Sequence, residues 1–262
     1  MAFELAGRHA LVCGGSEGIG LASAEALAAL GADVTVLARR ADRLAEVAAA
    51  LPKVAEGQRH GFIAADAGDA AALGAKVAAL CADRPVHVLL NNTAGPPGGP
   101  AHAADPEAYV AVFRQHLVAG QVLVQAVLPG MKAAGWGRIV NIISTSVKEP
   151  IPNLGVSNTI RGAVASWAKT LASELGPHGI TVNNVLPGYT RTQRLGQILA
   201  ERAAATGKSE DDIAAAMLAT VPAGRFAEPS EVAAAVAFLA SPVAGYVNGI
   251  NLPVDGGRTK SL

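Results

Sequence analysis

The chain has 262 residues, of which 51% are hydrophobic and 16% charged, with Lys+Arg and Asp+Glu both at 21 for a formal net charge of zero. This excludes a disordered or low-complexity chain, and the balanced charge argues against nucleic acid as a partner. Two cysteines, Cys13 and Cys81, cannot build a disulfide framework, and no Cys/His cluster has zinc spacing, so no metal and a reducing cytoplasm are expected. The first eight residues lack the basic-then-apolar order of a secretory signal. No uncharged apolar run reaches the length of about 18 needed to span a bilayer, so no membrane association is expected.

Short β-branched runs alternate with alanine-rich helical stretches. Strands are predicted over 9–13, 34–37, 62–65, 86–90, 138–143, 180–186 and 249–252. Between them, helices are predicted over about 21–30, closed by Gly31 as a C-cap, over 42–51, and over 70–80 behind an Asp69 N-cap. A Gly/Pro-rich loop over 95–100 precedes a long helix over about 106–131, and further helices are predicted over about 156–175, 194–218 and 229–240. Strands apolar on both faces and separated by helices argue for one α/β domain, a three-layer doubly wound parallel sheet of Rossmann type. The segment over about 190–220 lies after the sixth strand, where such folds place a substrate lid.

Three motifs carry chemistry. Gly14-Gly15-Ser16-Glu17-Gly18-Ile19-Gly20 stands between the first strand and the first helix. Its glycines at 14, 18 and 20 let the backbone turn tightly against a pyrophosphate held at a helix N-terminus. The second strand ends in Ala38-Arg39-Arg40. An acidic residue there would favour NAD, whereas Arg39 and Arg40 suit the 2′-phosphate of NADP, with Glu17 as a countervailing charge. After the third strand, Asp66-Ala67 places a carboxylate where it can accept from an adenine amino group.

Taken together these motifs resemble the short-chain dehydrogenase/reductase family over nearly the whole chain. Asn91-Asn92-Thr93-Ala94-Gly95 is similar to the family's N-N-A-G segment, and Pro187-Gly188-Tyr189-Thr190-Arg191-Thr192 to its P-G-x-x-x-T segment. The resemblance implies a cofactor role for Asn92, Pro187, Gly188 and Thr192, an NADP(H)-dependent oxidoreductase acting on a small molecule, and a homodimer or homotetramer. It also implies a Ser, a Tyr-x-x-x-Lys pair and an Asn as catalytic residues. No Tyr-x-x-x-Lys occurs here: four residues after Tyr109, Tyr189 and Tyr246 stand Phe113, Gln193 and Ile250. Tracing the register from the downstream Gly162-Ala163-Val164 puts Ser144 at the serine position, Ser157 at the tyrosine and Arg161 at the lysine, and counting back thirteen from Pro129 puts His116 at the asparagine. The chain thus resembles a divergent 3-oxoacyl-carrier-protein reductase-like branch.

An aliphatic alcohol cannot replace a phenol as an acid, so Ser157 either lines the pocket or opens it. Arg161 offers a fixed positive charge to an oxyanion or carboxylate, or keeps the lysine's ribose contact. His116 has a pKa near operating pH unless its surroundings move it. The expected reaction is hydride transfer at a carbonyl/alcohol group, or a related C=C or C=N bond. A non-redox lyase or isomerase, and an inactive NADP-binding sensor, are the alternatives.

Overall fold

A computed structural model of the chain describes residues 3–261. Its centre is a parallel sheet of β1 (His9–Cys13), β2 (Asp33–Ala38), β3 (His60–Ala64), β4 (Val88–Asn91), β5 (Gly137–Ile142), β6 (Ile180–Pro187) and β7 (Asn251–Val254). The strand order is β3-β2-β1-β4-β5-β6-β7, so the chain winds outward from β1 and then returns to wind the other way from β4. Alternation along the strands sorts side chains to two faces. Val12, Val36, Leu90 and Val140 join one core with α1 (Gly18–Ala29), α2 (Ala41–Ala50) and α9 (Pro229–Ala240). Leu11, Leu37, Leu89 and Ile139 join a second core with α3 (Ala70–Asp83), α5 (Ala119–Ala133) and α6 (Gly155–Leu175). Both faces are covered, as the continuous apolar strands require.

Helix ends follow local chemistry. Asp69 accepts from the Ala72 N–H, and Gly31, at φ +92°, closes the turn after α1 as expected. Two long helical expectations are corrected. The stretch predicted over 194–218 is two helices, α7 (Gln193–Thr206) and α8 (Glu210–Leu218). Gly207 takes φ +68° after α7, and Ser209 caps α8 through the Asp212 N–H. The long helix is α4 (Pro106–Phe113) running into α5 through one π turn, Arg114–Val118. Its 28 residues, Pro106–Ala133, are long and apolar enough to cross a membrane by length and composition. Here Leu123, Val124, Val127 and Met131 turn instead into the second core.

Two polar features cross the sheet. Asn91, Asn141, Asn184 and Asn251 are register partners on β4 to β7, and each Nδ2 donates to the next Oδ1 at 2.8 Å. At the N-terminal edge, His9 is 2% exposed. Its Nε2 meets the Thr35 hydroxyl at 2.8 Å and Arg84 at 3.1 Å, and its Nδ1 meets the Pro85 carbonyl at 3.2 Å. Arg84 donates only and a carbonyl accepts only, so Nδ1 carries the proton and the imidazole is neutral. Burial, reinforced by the charge of Arg84, takes its pKa down to about 4.

Candidate active site

The candidate residues converge at the C-terminal ends of the strands, where doubly wound sheets bind ligands. Gly14 and Gly18 adopt φ +61° and +56°. A Cβ on Gly14 would lie 2.6 Å from Asn92 Nδ2, and one on Gly20 would lie 2.0 Å from the Gly14 carbonyl oxygen. The turn therefore tolerates only glycine at these points. It delivers the chain to α1, whose N-cap residue, Glu17, makes no side-chain capping bond. The first N–H groups of α1 are left without a side-chain acceptor, which suits a phosphate. A Cβ on Gly18 would lie 3.3 Å from Thr192 Cγ2, so the segment after β6 closes against the glycine turn. Ile19 packs on the first core.

Arg39 and Arg40 are exposed beside this turn, and Arg40 pairs with Glu17 at 3.7 Å. Glu17 is thus engaged by the arginine it was expected to oppose. Arg43, which no sequence motif singled out, donates from Nε to the Ser16 carbonyl at 3.4 Å, while its Nη1 pairs with Glu46 at 2.9 Å. Asp66 is exposed, with Oδ1 accepting from the Gly68 N–H at 2.8 Å, and Ala67 follows it half-buried. Gly188, after Pro187, binds β7 through its N–H to Val254, and a Cβ there would lie 2.7 Å from Asp255 Cα. Cys13 beneath the turn is an inert buried thiol, its pKa pushed up to about 12 by burial.

The second half of the site surrounds the turn after β5. Ser144 opens a 3-10 turn, Thr145–Val147, and its Oγ accepts from the Ser146 N–H at 3.0 Å. Among the described residues its own O–H has no acceptor and can donate. Ser157, half-buried in the first turn of α6, makes no hydrogen bond within the described residues. His116 sits in the π turn, 7% exposed, with Nδ1 against the Thr93 hydroxyl. Burial, helped by the charge of Arg161 and partly opposed by a hydrogen bond to the Ala94 backbone, lowers its pKa to about 3. The expected titration near neutral pH is therefore corrected: His116 is a neutral imidazole. Arg161, 8% exposed on α6, donates to the Ile142 carbonyl at 2.7 Å. Burial brings its pKa down to about 10, so it remains charged at neutral pH.

Two arginines absent from the sequence expectations border the same space. Arg194 on α7 donates to the Pro96 carbonyl at 2.9 Å, tying the 190–220 segment to the loop over 95–100. Arg258 lies over the Tyr189 ring at 4.8 Å and donates to Thr145 Oγ1 at 3.3 Å.

A family profile described as enoyl-(acyl carrier protein) reductase matches residues 14–259. The gluconate 5-dehydrogenase of Gluconobacter oxydans is 32% identical, covering 99% of this chain and 98% of its own length. The L-xylulose reductase of Mus musculus is 35% identical, with 98% of both chains covered. The crystal structure of L-sorbose reductase from Gluconobacter frateurii, complexed with NADPH and L-sorbose, superposes with a TM-score of 0.92 at 30% identity over 100% of each chain. These matches run across both the glycine turn and the turn after β5, and with the strand order they fix the kinship: the chain belongs to the short-chain dehydrogenase/reductase family.

Proposed function

We propose that this protein is an NADP(H)-dependent oxidoreductase acting on the carbonyl/alcohol group, or a related C=C or C=N bond, of a small molecule, through an active site that has lost the family's phenolic acid. The observation that carries the reading is the uncapped start of α1, reached through a glycine turn with no room for a side chain. Arg39 and Arg43 beside it suit a 2′-phosphate. A relative crystallised with NADPH supports the same coenzyme.

When bound, the nicotinamide supplies or accepts the hydride. In reduction the carbonyl carbon gains that hydride and the oxygen gains a proton. The chain's own residues hold the oxygen. The free O–H of Ser144 donates to it, and Arg161 stabilises negative charge growing there. Ser157 leaves the space of the missing ring open. His116, neutral at pH 7, lacks the acidic imidazolium proton, so it acts by orienting Thr93 or by passing on a proton that water supplies, accepting at one ring nitrogen as it donates from the other. The 190–220 segment, latched by Arg194, covers the pocket. We place the enzyme in the cytoplasm as a homodimer or homotetramer, which light scattering tests directly.

The deciding experiment titrates NADPH and NADH by fluorescence, then follows NADPH absorbance across a panel of ketones, enones and imines. Tighter binding of NADPH and its consumption with one substrate class are expected. Arg39→Asp should weaken NADPH binding roughly 10-fold while sparing NADH. Turnover without net oxidation of NADPH would make the protein a lyase or isomerase. Binding with no turnover would make it a sensor. Failure to bind either dinucleotide would overturn the reading.

A further inference from the structure

Arg138 and Arg161 are the two buried arginines among the described residues, and neither faces a carboxylate within salt-bridge distance. Arg138 is complete without one. Its Nε donates to Ser241, one terminal nitrogen serves the carbonyls of Gly137 and Gly179, and its guanidinium lies 4.3 Å over the Trp136 ring. Arg161 has a single bond, to Ile142. A guanidinium carries five N–H donors, so most of those on Arg161 have no partner among the described residues. The unpartnered nitrogens of Arg161 are not fully enclosed, although the residue as a whole is only 8% exposed.

Burying an uncompensated charge destabilises a fold unless an anion completes it. No described residue near Arg161 does so. His116 is neutral. Glu149, the carboxylate on the turn after β5, is turned away, with Oε1 accepting from the backbone N–H groups of Lys260 and Ser261. From the other side of the turn, Arg258 adds a second positive charge, and its Nε is buried without a partner. Among the described residues, the turn that carries Ser144 is thus flanked by two guanidinium groups and no opposing free carboxylate.

We propose that the substrate carries a carboxylate that docks on Arg161 while its carbonyl oxygen faces Ser144, with Arg258 strengthening the positive field. This assigns the substrate class, oxo acids and their hydroxy-acid counterparts, and rests on the oxidoreductase reading above. Ile142 and Ser144 are two residues apart on extended backbone, roughly 6–7 Å. The carboxylate and the reacting carbonyl are therefore close together in a short molecule.

The test uses pyruvate, acetoacetate and levulinate, each beside its methyl ester, titrated into the NADPH-loaded protein and read by NADPH fluorescence. At least one acid should bind roughly 10- to 100-fold more tightly than its ester. R161M should abolish that preference, and R161K should keep part of it, because an ammonium retains the charge but not the fork. Equal affinity for every acid and its ester, including no binding of either, overturns the proposal. So does an R161M protein that loses NADPH instead of the acid, since Arg161 would then serve the coenzyme. Wild-type protein that fails to bind NADPH overturns the dinucleotide reading itself, a separate result. If R161M does not fold, the wild-type comparison of acid with ester decides, and R258M should reduce the preference by a smaller factor.

Discussion

Gly20 shows how finely the coenzyme half is fitted. Its missing side chain is filled by the Gly14 carbonyl and the Asn92 amide, 2.0 and 2.9 Å from where a Cβ would sit. Gly20→Ala should therefore force the turn open, with a stability loss of about 1–3 kcal/mol from overpacking and loss of measurable NADPH affinity. Gly162 on α6 has nothing within 4 Å of its Cβ position. Gly162→Ala should raise stability by about 0.5–1 kcal/mol, because alanine loses less backbone entropy in a helix. Urea denaturation of both variants, with NADPH titration of each, checks the pair. Residues of this kind were legible in the sequence, because spacing and type alone announce a glycine turn. Arg43, Arg194 and Arg258 were not. Arg43 and Arg194 also have partners on their own helices, but the contacts that place these arginines at the site, to a backbone carbonyl of Ser16, one of Pro96 and the ring of Tyr189, are brought near only by the fold.

At the scale of elements, strand existence was readable and helix interruptions were not. Continuous burial along β1 and β5 follows from the largely apolar runs themselves. The π turn at Arg114–Val118 replaces helix over a sequence, Arg-Gln-His-Leu-Val, with no breaker in it. His116 lies within it, against Thr93, and such turns recur at functional sites. The split between α7 and α8 did have a signal, Gly207 followed by Ser209, which the loose apolar pattern on either side obscured. The two helices form their own small core through Leu195, Ile213, Met217 and Phe226, separate from the sheet cores. A unit so built can move as a body, and Arg194 is one of its ties to the loop over 95–100. Arg194→Ala should raise KM several-fold with a smaller change in kcat, and should speed proteolytic cutting within 190–220. An unchanged cutting rate would show that the latch carries no load.

The whole molecule has an acid boundary set by its histidines. His9 and His116 have pKa values near 4 and 3, below the ordinary value of about 6.5, and burial also lowers those of His60 and His87. The unfolded chain binds more protons than the folded one between these values and 6.5. Stability is therefore complete above about pH 6.5 and falls as pH drops through that window. His9 alone should account for a loss of about 3 kcal/mol by pH 4. Thermal midpoints measured from pH 7 to pH 4 should fall steeply, and less steeply in His9→Gln. The amide chain from Asn91 to Asn251 has a different consequence. Parallel strands lack hairpins to set their alignment, so a neighbour can dock one step out of place during assembly. Four amides that each meet the next only in a single alignment reject such mistakes together. Asn141 and Asn184, which both give and receive, act as the teeth of a vernier that clicks the late strands into place before the pocket at their ends can exist.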